Sequence, residues 1–131
     1  MIDYVIADAE DPSDVNYASL PTKGAVVHAW FDDVGMFSPP FKSEYLPKMN
    51  VVVRLLYPQD REYIYDERLH YGIDASDDKS KTWSLPSDPK YRFSNFDALI
   101  NNVDTVVEGF DAGIYAIANR AATEFKRVAK R

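Results

Sequence analysis

Side chains able to do chemistry are few and scattered in this sequence. His28 and His70 are its two imidazoles, and neither stands at metal-ligand spacing to the other. His28 sits in an apolar run, where histidine is more often a hydrogen-bonded core residue than a ligand. His70 follows Asp66 and Glu67, an arrangement common on protein surfaces. There is no Gly-rich phosphate loop, Gly-x-Ser-x-Gly elbow or His-Glu-x-x-His pair. Asp74, Ser76 and Asp78 begin like a calcium loop, but Lys79 stands where glycine is required and Leu85 where glutamate is required. Cysteine is absent, which removes thiolate ligands and disulfides. Nothing marks one Asp/Glu pair above another for acid–base work. No catalytic residue, metal site or cofactor is assigned, and the expectation is a protein that is not an enzyme.

What the chain does concentrate is rings interleaved with cations. Residues 54–93 hold Arg54, Tyr57, Tyr63, Tyr65, Arg68, Tyr71, Lys79, Lys81, Trp83, Lys90, Tyr91, Arg92 and Phe93, with Trp30 and Phe37 upstream. Aromatic faces that stack on bases, with cations tracking phosphates, are the chemistry of single-stranded nucleic-acid binding, and each stacked base contributes about 1–3 kcal/mol. The competing reading is structural: tyrosine suits half-buried strand positions, with its ring packed and its hydroxyl wet. Both readings stay open from the residues alone.

Those side chains need a sheet to carry them. Met49–Ile73 reads as a central β-hairpin turning at Pro58-Gln59-Asp60. Its first run puts Val51, Val53, Leu55 and Tyr57 on one face and Val52, Arg54 and Leu56 on the other, so it belongs at the buried centre of a sheet. Its second run, Glu62–Asp66, is expected to place Tyr63 and Tyr65 on one face, with Arg68 and Tyr71 following. Ile2–Ile6 and Ala25–Phe31 read as short strands, the latter buried. The segment 7–17, with four acids and a proline, reads as a solvated loop. The segment 32–41, with Gly35, Pro39 and Pro40, is expected to be irregular. Thr82–Leu85 follows a polar excursion at 74–81.

From Ser94 the hydrophobic period changes from two to about 3.6, with Ser94 or Asn95 as helix cap and Asp97 in the first turn. Phe96, Val103, Phe110 and Ile117 recur every seven residues, as do Ile100, Val107, Ile114, Ala121 and Val128. Unbroken over 96–128 the helix would reach about 50 Å, against about 30 Å for a domain of this size. It must break near Asn101-Asn102 or at Gly109/Gly113, or project and pair with another copy, with the glycines admitting a second backbone. Val103, Val107, Phe110, Ile114, Ile117 and Ala121 are the expected oligomerisation stripe.

The 131 residues, 46% hydrophobic and 14% aromatic, bound a single folded domain, β-rich over 1–93 and helical over 94–131. The expected fold is α+β: an antiparallel sheet or partly open barrel of about five short strands, with a long amphipathic C-terminal helix broken near 101–113. The net charge of −6 divides as −5 over residues 1–50, −1 over 51–95 and zero over 96–131, the last with a basic tip. An acidic head and basic tip suggest a charged partner or self-association. Without cysteines, a basic leader or a long apolar run, a cytoplasmic home with no membrane contact is the expectation.

Leu20-Pro21-Thr22-Lys23-Gly24 entering a strand, Lys48–Leu55, and Tyr63–Leu69 together resemble small phage-encoded single-stranded-DNA-binding proteins. The acidic N-terminal loop and helical C-terminus are also similar to the early single-stranded-DNA-binding transcription cofactors of N4-like phages. The pattern covers residues 20–100 and has no diagnostic motif. Many such proteins end in an acidic tail that recruits partners, whereas this chain carries Lys126, Arg127, Lys130 and Arg131 there. The resemblance implies a cofactor-free binding protein of replication or early transcription; joined to the helix-length argument, the expectation is a protein in host cytoplasm that coats single-stranded DNA, self-associates through its helix and meets a host or viral polymerase. The candidate nucleic-acid contacts are Arg54, Tyr63, Tyr65, Arg68, Tyr71, Lys79, Lys81, Trp83, Tyr91, Arg92, Lys126, Arg127, Lys130 and Arg131. Two other classes remain beside it. One is an acidic viral protein that captures a host protein through residues 3–17 and 32–44, and the other is a virion assembly subunit.

Overall fold

The apolar run from Met49 to Leu56 dictates the architecture. In a computed structural model, described over residues 4–6, 10–60, 62–72 and 82–129, it forms most of strand β2 (Leu46–Leu56). Met49, Val51, Val52, Val53 and Leu56 are each 6% exposed or less, so both faces of this strand are covered. β1 (Val26–Phe37) and β3 (Tyr63–Gly72) flank it, both antiparallel. β4 (Trp83–Leu85) pairs parallel with β3, giving an open sheet in the order β1-β2-β3-β4.

The fold is therefore α+β as expected, with four strands instead of five and one parallel pair in place of an all-antiparallel sheet. Tyr4–Ile6 lie outside any strand, and the rest of the expected strand at 2–6 falls outside the described residues. β1 is not a short buried strand. It runs on through Phe37, beyond a bulge that leaves Asp32 without a ladder partner, and it forms an exposed edge. The long ladder of β2 supplies the reason: Asn50–Leu46 remain available as partners, so Asp33–Phe37 pair with them despite Gly35.

Asn95 caps α1 (Phe96–Ile100), its side-chain oxygen accepting from the Ala98 amide at 2.8 Å. The chain breaks at Asn101-Asn102, where Asn102 Nδ2 donates to the Ala98 carbonyl at 2.7 Å. It then restarts as α2 (Val103–Ala129), 27 residues and about 40 Å long. Gly109 and Gly113 do not break this helix, nor do they receive a second helix. They seat rings of its own domain: an added Cβ would stand 3.0 Å from Tyr91 at Gly109 and 2.5 Å from Tyr71 at Gly113.

α2 lies over β2 and β3, where Ile117 and Ala121 meet Met49, Val51, Val53, Tyr65, Leu69 and Tyr71. The heptad stripe thus splits. Ile117 and Ala121 are core and Phe110 packs against it, while Val103, Val107 and Ile114 are about half exposed. At the helix–sheet seam, Glu67 accepts from the Tyr65 hydroxyl and from Arg120 Nη2 at 3.1 Å. Arg120 also meets Glu124 at 3.2 Å, and Glu124 meets Arg127 at 2.7 Å.

Candidate nucleic-acid interface

The sheet face opposite α2 carries the polar and aromatic side chains that can meet a ligand. Alternation along β2 sends Arg54 to this side, between His28 of β1 and Asp66 of β3. A bulge in β3 decides what joins it. Leu55 pairs with Tyr65 but Leu56 pairs with Tyr63, so Ile64 is the extra residue and the side-chain alternation reverses there. Tyr65 consequently faces α2, its ring edge-on to Phe125 at 5.4 Å, whereas Tyr63 faces away. The two tyrosines expected on one face are on opposite ones.

Arg54 is the centre of the helix-free face. Its guanidinium carbon lies 4.9 Å from the Trp30 ring centre and 4.7 Å from that of Tyr63. Its Nε donates to Asp66 Oδ1 at 3.2 Å. Trp30 rests on His28, with ring centres 4.5 Å apart. The Pro12 carbonyl can only accept, so His28 Nε2 donates to it at 2.7 Å; in the neutral ring Nδ1 then accepts from the Tyr17 hydroxyl, also at 2.7 Å. Tyr17 closes the group edge-on to Tyr63. Burial, helped by the neighbouring Tyr63 phenol, pushes the Tyr17 hydroxyl above its ordinary range against the opposing pull of Arg54. Between Tyr17, Tyr63, Leu56 and Pro58 lies a recess of about 350 Å³, within the size range of small-ligand sites.

The cations of this face are already partnered. Arg54 pairs with Asp66, Arg68 with Asp32, and Lys48 with Asp33 at 2.8 Å, so three cations meet three carboxylates. Asp32 is the residue that the β1 bulge inserts. Lys48 also lies 5.3 Å from the Phe37 ring centre.

Of the candidates read from the sequence, Arg54, Tyr63 and Arg68 share this face, joined by Trp30. Tyr65, Tyr71 and Tyr91 are core rings, 8%, 3% and 5% exposed, and present no free face to a base. Trp83 is half-buried against the core cluster. Arg92 is exposed after a short 3-10 turn. Lys126 and Arg127 lie on α2, with the sheet between them and Arg54, and Arg127 is held by Glu124. Lys79, Lys81, Lys130 and Arg131 lie outside the described residues.

Sequence reasoning missed Tyr17, Asp32 and Asp66 as members of the site. Tyr17 and Asp32 sat in segments read as loops, and no local pattern links them to Arg54 or Arg68. Among the described residues no cluster of three or more metal-ligating side chains occurs, and no helix is long and apolar enough to cross a membrane. Comparison with known proteins brings no match to this chain, whether to a protein family, a curated protein or a solved structure.

Proposed function

We propose that this chain is a non-enzymatic single-stranded-DNA-binding protein of viral type, serving replication or early transcription, and that the strand lies on the helix-free face of the sheet. The observation that carries this reading is Arg54 with its guanidinium carbon 4.9 Å from the Trp30 ring centre and 4.7 Å from that of Tyr63, beside an open recess. A base stacks on Tyr63, which is 45% exposed, and Arg54 and Arg68 exchange Asp66 and Asp32 for phosphate oxygens. Because each guanidinium gives up a carboxylate as it takes a phosphate, the strand is held chiefly by stacking. The basic end of α2 and the exposed Val103 at its start serve self-association along the strand, with a polymerase as the protein partner of the assembled form.

Tryptophan and tyrosine fluorescence titrated with oligo-dT tests the proposal. Quenching at micromolar protein is expected, with log K falling by about 0.7 per phosphate contact as log salt rises. No quenching, or binding wholly indifferent to salt, overturns it.

One observation favours a second reading, the acidic capture of a host protein. Phe41 is fully exposed in the 38–44 loop at a positive φ of 64°, a costly placement for an aromatic residue. A stoichiometric protein partner lost on Phe41→Ala, together with no affinity for oligo-dT, selects that reading.

A further inference from the structure

β1 ends the sheet with one side unpaired, and the surface beside that edge on the helix side is apolar. On the helix side, Val27 and Phe31 are 55% and 54% exposed because α2 covers β2 and β3 but stops short of β1. With Ala29 they floor a groove of about 220 Å³ walled by Ile114 and Ala118 of α2. Val107 lies two turns before Ile114 on the same helical line and extends that wall, and both are about half exposed. Among the described residues no backbone hydrogen bond engages the outer edge of β1.

Natural edge strands are blunted by charge, proline or bulges. Here Val26–Phe31 has none of these, and the bulge with Asp32 and Asp33 begins only after it. Every second residue of this stretch aims its N–H and C=O outward. We infer that β1 is a dimerisation edge, pairing antiparallel with β1 of a second copy about a two-fold axis near Ala29.

Three features select a second copy as the occupant. The two-fold at Ala29 sets Val27 against Phe31 of the other copy twice over, giving two aromatic–β-branched cross-strand pairs around a small central residue. It leaves Asp32 and Asp33 opposite Val26 and Ala25, so no carboxylates face each other, whereas an axis three or four residues later would set Asp32 or Asp33 against its own counterpart. The pairing also closes both grooves at once. Together with the strand hydrogen bonds, covering these apolar side chains favours the paired form. The product is an eight-stranded sheet whose helix-free side carries two copies of the Trp30–Arg54–Tyr63 group in one surface. The inference stands apart from the DNA reading, since it concerns the free protein.

Sedimentation equilibrium between about 1 and 100 µM, without nucleic acid, is the test. A two-chain mass is expected, reduced to one chain by Val27→Lys and left at two by a substitution on the outward face of α2, Tyr115→Lys. Tyr115 is 72% exposed. Because the chain lacks cysteine, single Ala29→Cys and Tyr115→Cys variants add a readout that does not depend on the lysine variants folding. Rapid disulfide dimerisation of Ala29→Cys but not Tyr115→Cys supports the two-fold. A one-chain mass up to the highest concentration overturns the inference. So does a dimer insensitive to Val27→Lys with no Ala29→Cys cross-link.

Discussion

Tyr63 and Tyr65 lie two residues apart on one strand yet face opposite sides of the sheet, because Ile64 is bulged against Leu56. One ring is 45% exposed beside Arg54 and the other 8% exposed beneath α2. A single inserted residue thus assigns one tyrosine to the surface and the other to the core.

The two tyrosines are expected to respond differently to removal. Tyr63→Ala should lower oligo-dT affinity by about 1–3 kcal/mol, the value of one stacked base, with the urea midpoint nearly unchanged. Tyr65→Ala should cost about 3–5 kcal/mol of stability, as for other large core truncations. Parallel titration and urea unfolding of both variants check this, and equal losses of stability would refute the division.

Arg54 works through its plane as well as its charge. Arg54→Lys keeps the cation but loses the planar guanidinium that lies within cation–π distance of Trp30 and Tyr63. A several-fold loss of oligo-dT affinity at constant ionic strength is expected, with little change in Tm. Unaltered affinity would mean that charge alone suffices.

Gly113 is held to glycine by Tyr71. Gly113→Ala gains about 1 kcal/mol of helix propensity but drives a methyl to 2.5 Å from the buried ring. Overpacking of this kind costs about 1–3 kcal/mol, so a net loss of stability is expected. Gly35→Ala, with nothing within 4 Å of its added methyl, is the matched control and should be close to neutral. Thermal unfolding of the two variants makes the comparison.

The Glu67–Arg120 pair ties β3 to α2. Glu67→Ala leaves Arg120 with Glu124 alone, and since the Arg120 side chain is 32% exposed the loss is expected at about 1–3 kcal/mol. Replacing both partners with apolar residues of similar volume should restore much of it, which chemical denaturation of the single and double variants measures.

Stability should decline at both ends of the pH scale. The hydrogen bond from Arg127, aided by the Arg120 charge, holds the Glu124 carboxyl below its ordinary 4.5. Its contribution is therefore complete above that value and lost as pH falls through the lower folded value. Burial raises the Tyr65 and Tyr71 phenols above 10.0, Tyr65 further through its bond to Glu67. The unfolded chain then loses these protons first, so stability present below pH 10 falls as pH rises beyond it. Glu124→Gln should flatten the acid limb and Tyr65→Phe the alkaline limb of a Tm-versus-pH curve.

Local pattern alone determined a good part of this protein. The apolar run 49–56 had to be an interior strand, because both its faces reject water. The period-3.6 stripe after Ser94 had to be a helix, and its length left a break or a projecting, paired helix as the choices; the break falls at Asn101-Asn102, one of the two places the residues offered. Tertiary structure decided the rest. Whether the repeat of Ile117 and Ala121 faced another chain or the domain's own sheet depended on where the sheet lay. The glycines of α2 serve Tyr71 and Tyr91, residues distant in sequence. The composition of the helix-free face turned on two bulges, at Asp32 and Ile64, each shifting side-chain alternation by one. Bulges arise from ladder pairing between strands, and pairing is a long-range choice that no window of neighbouring residues contains.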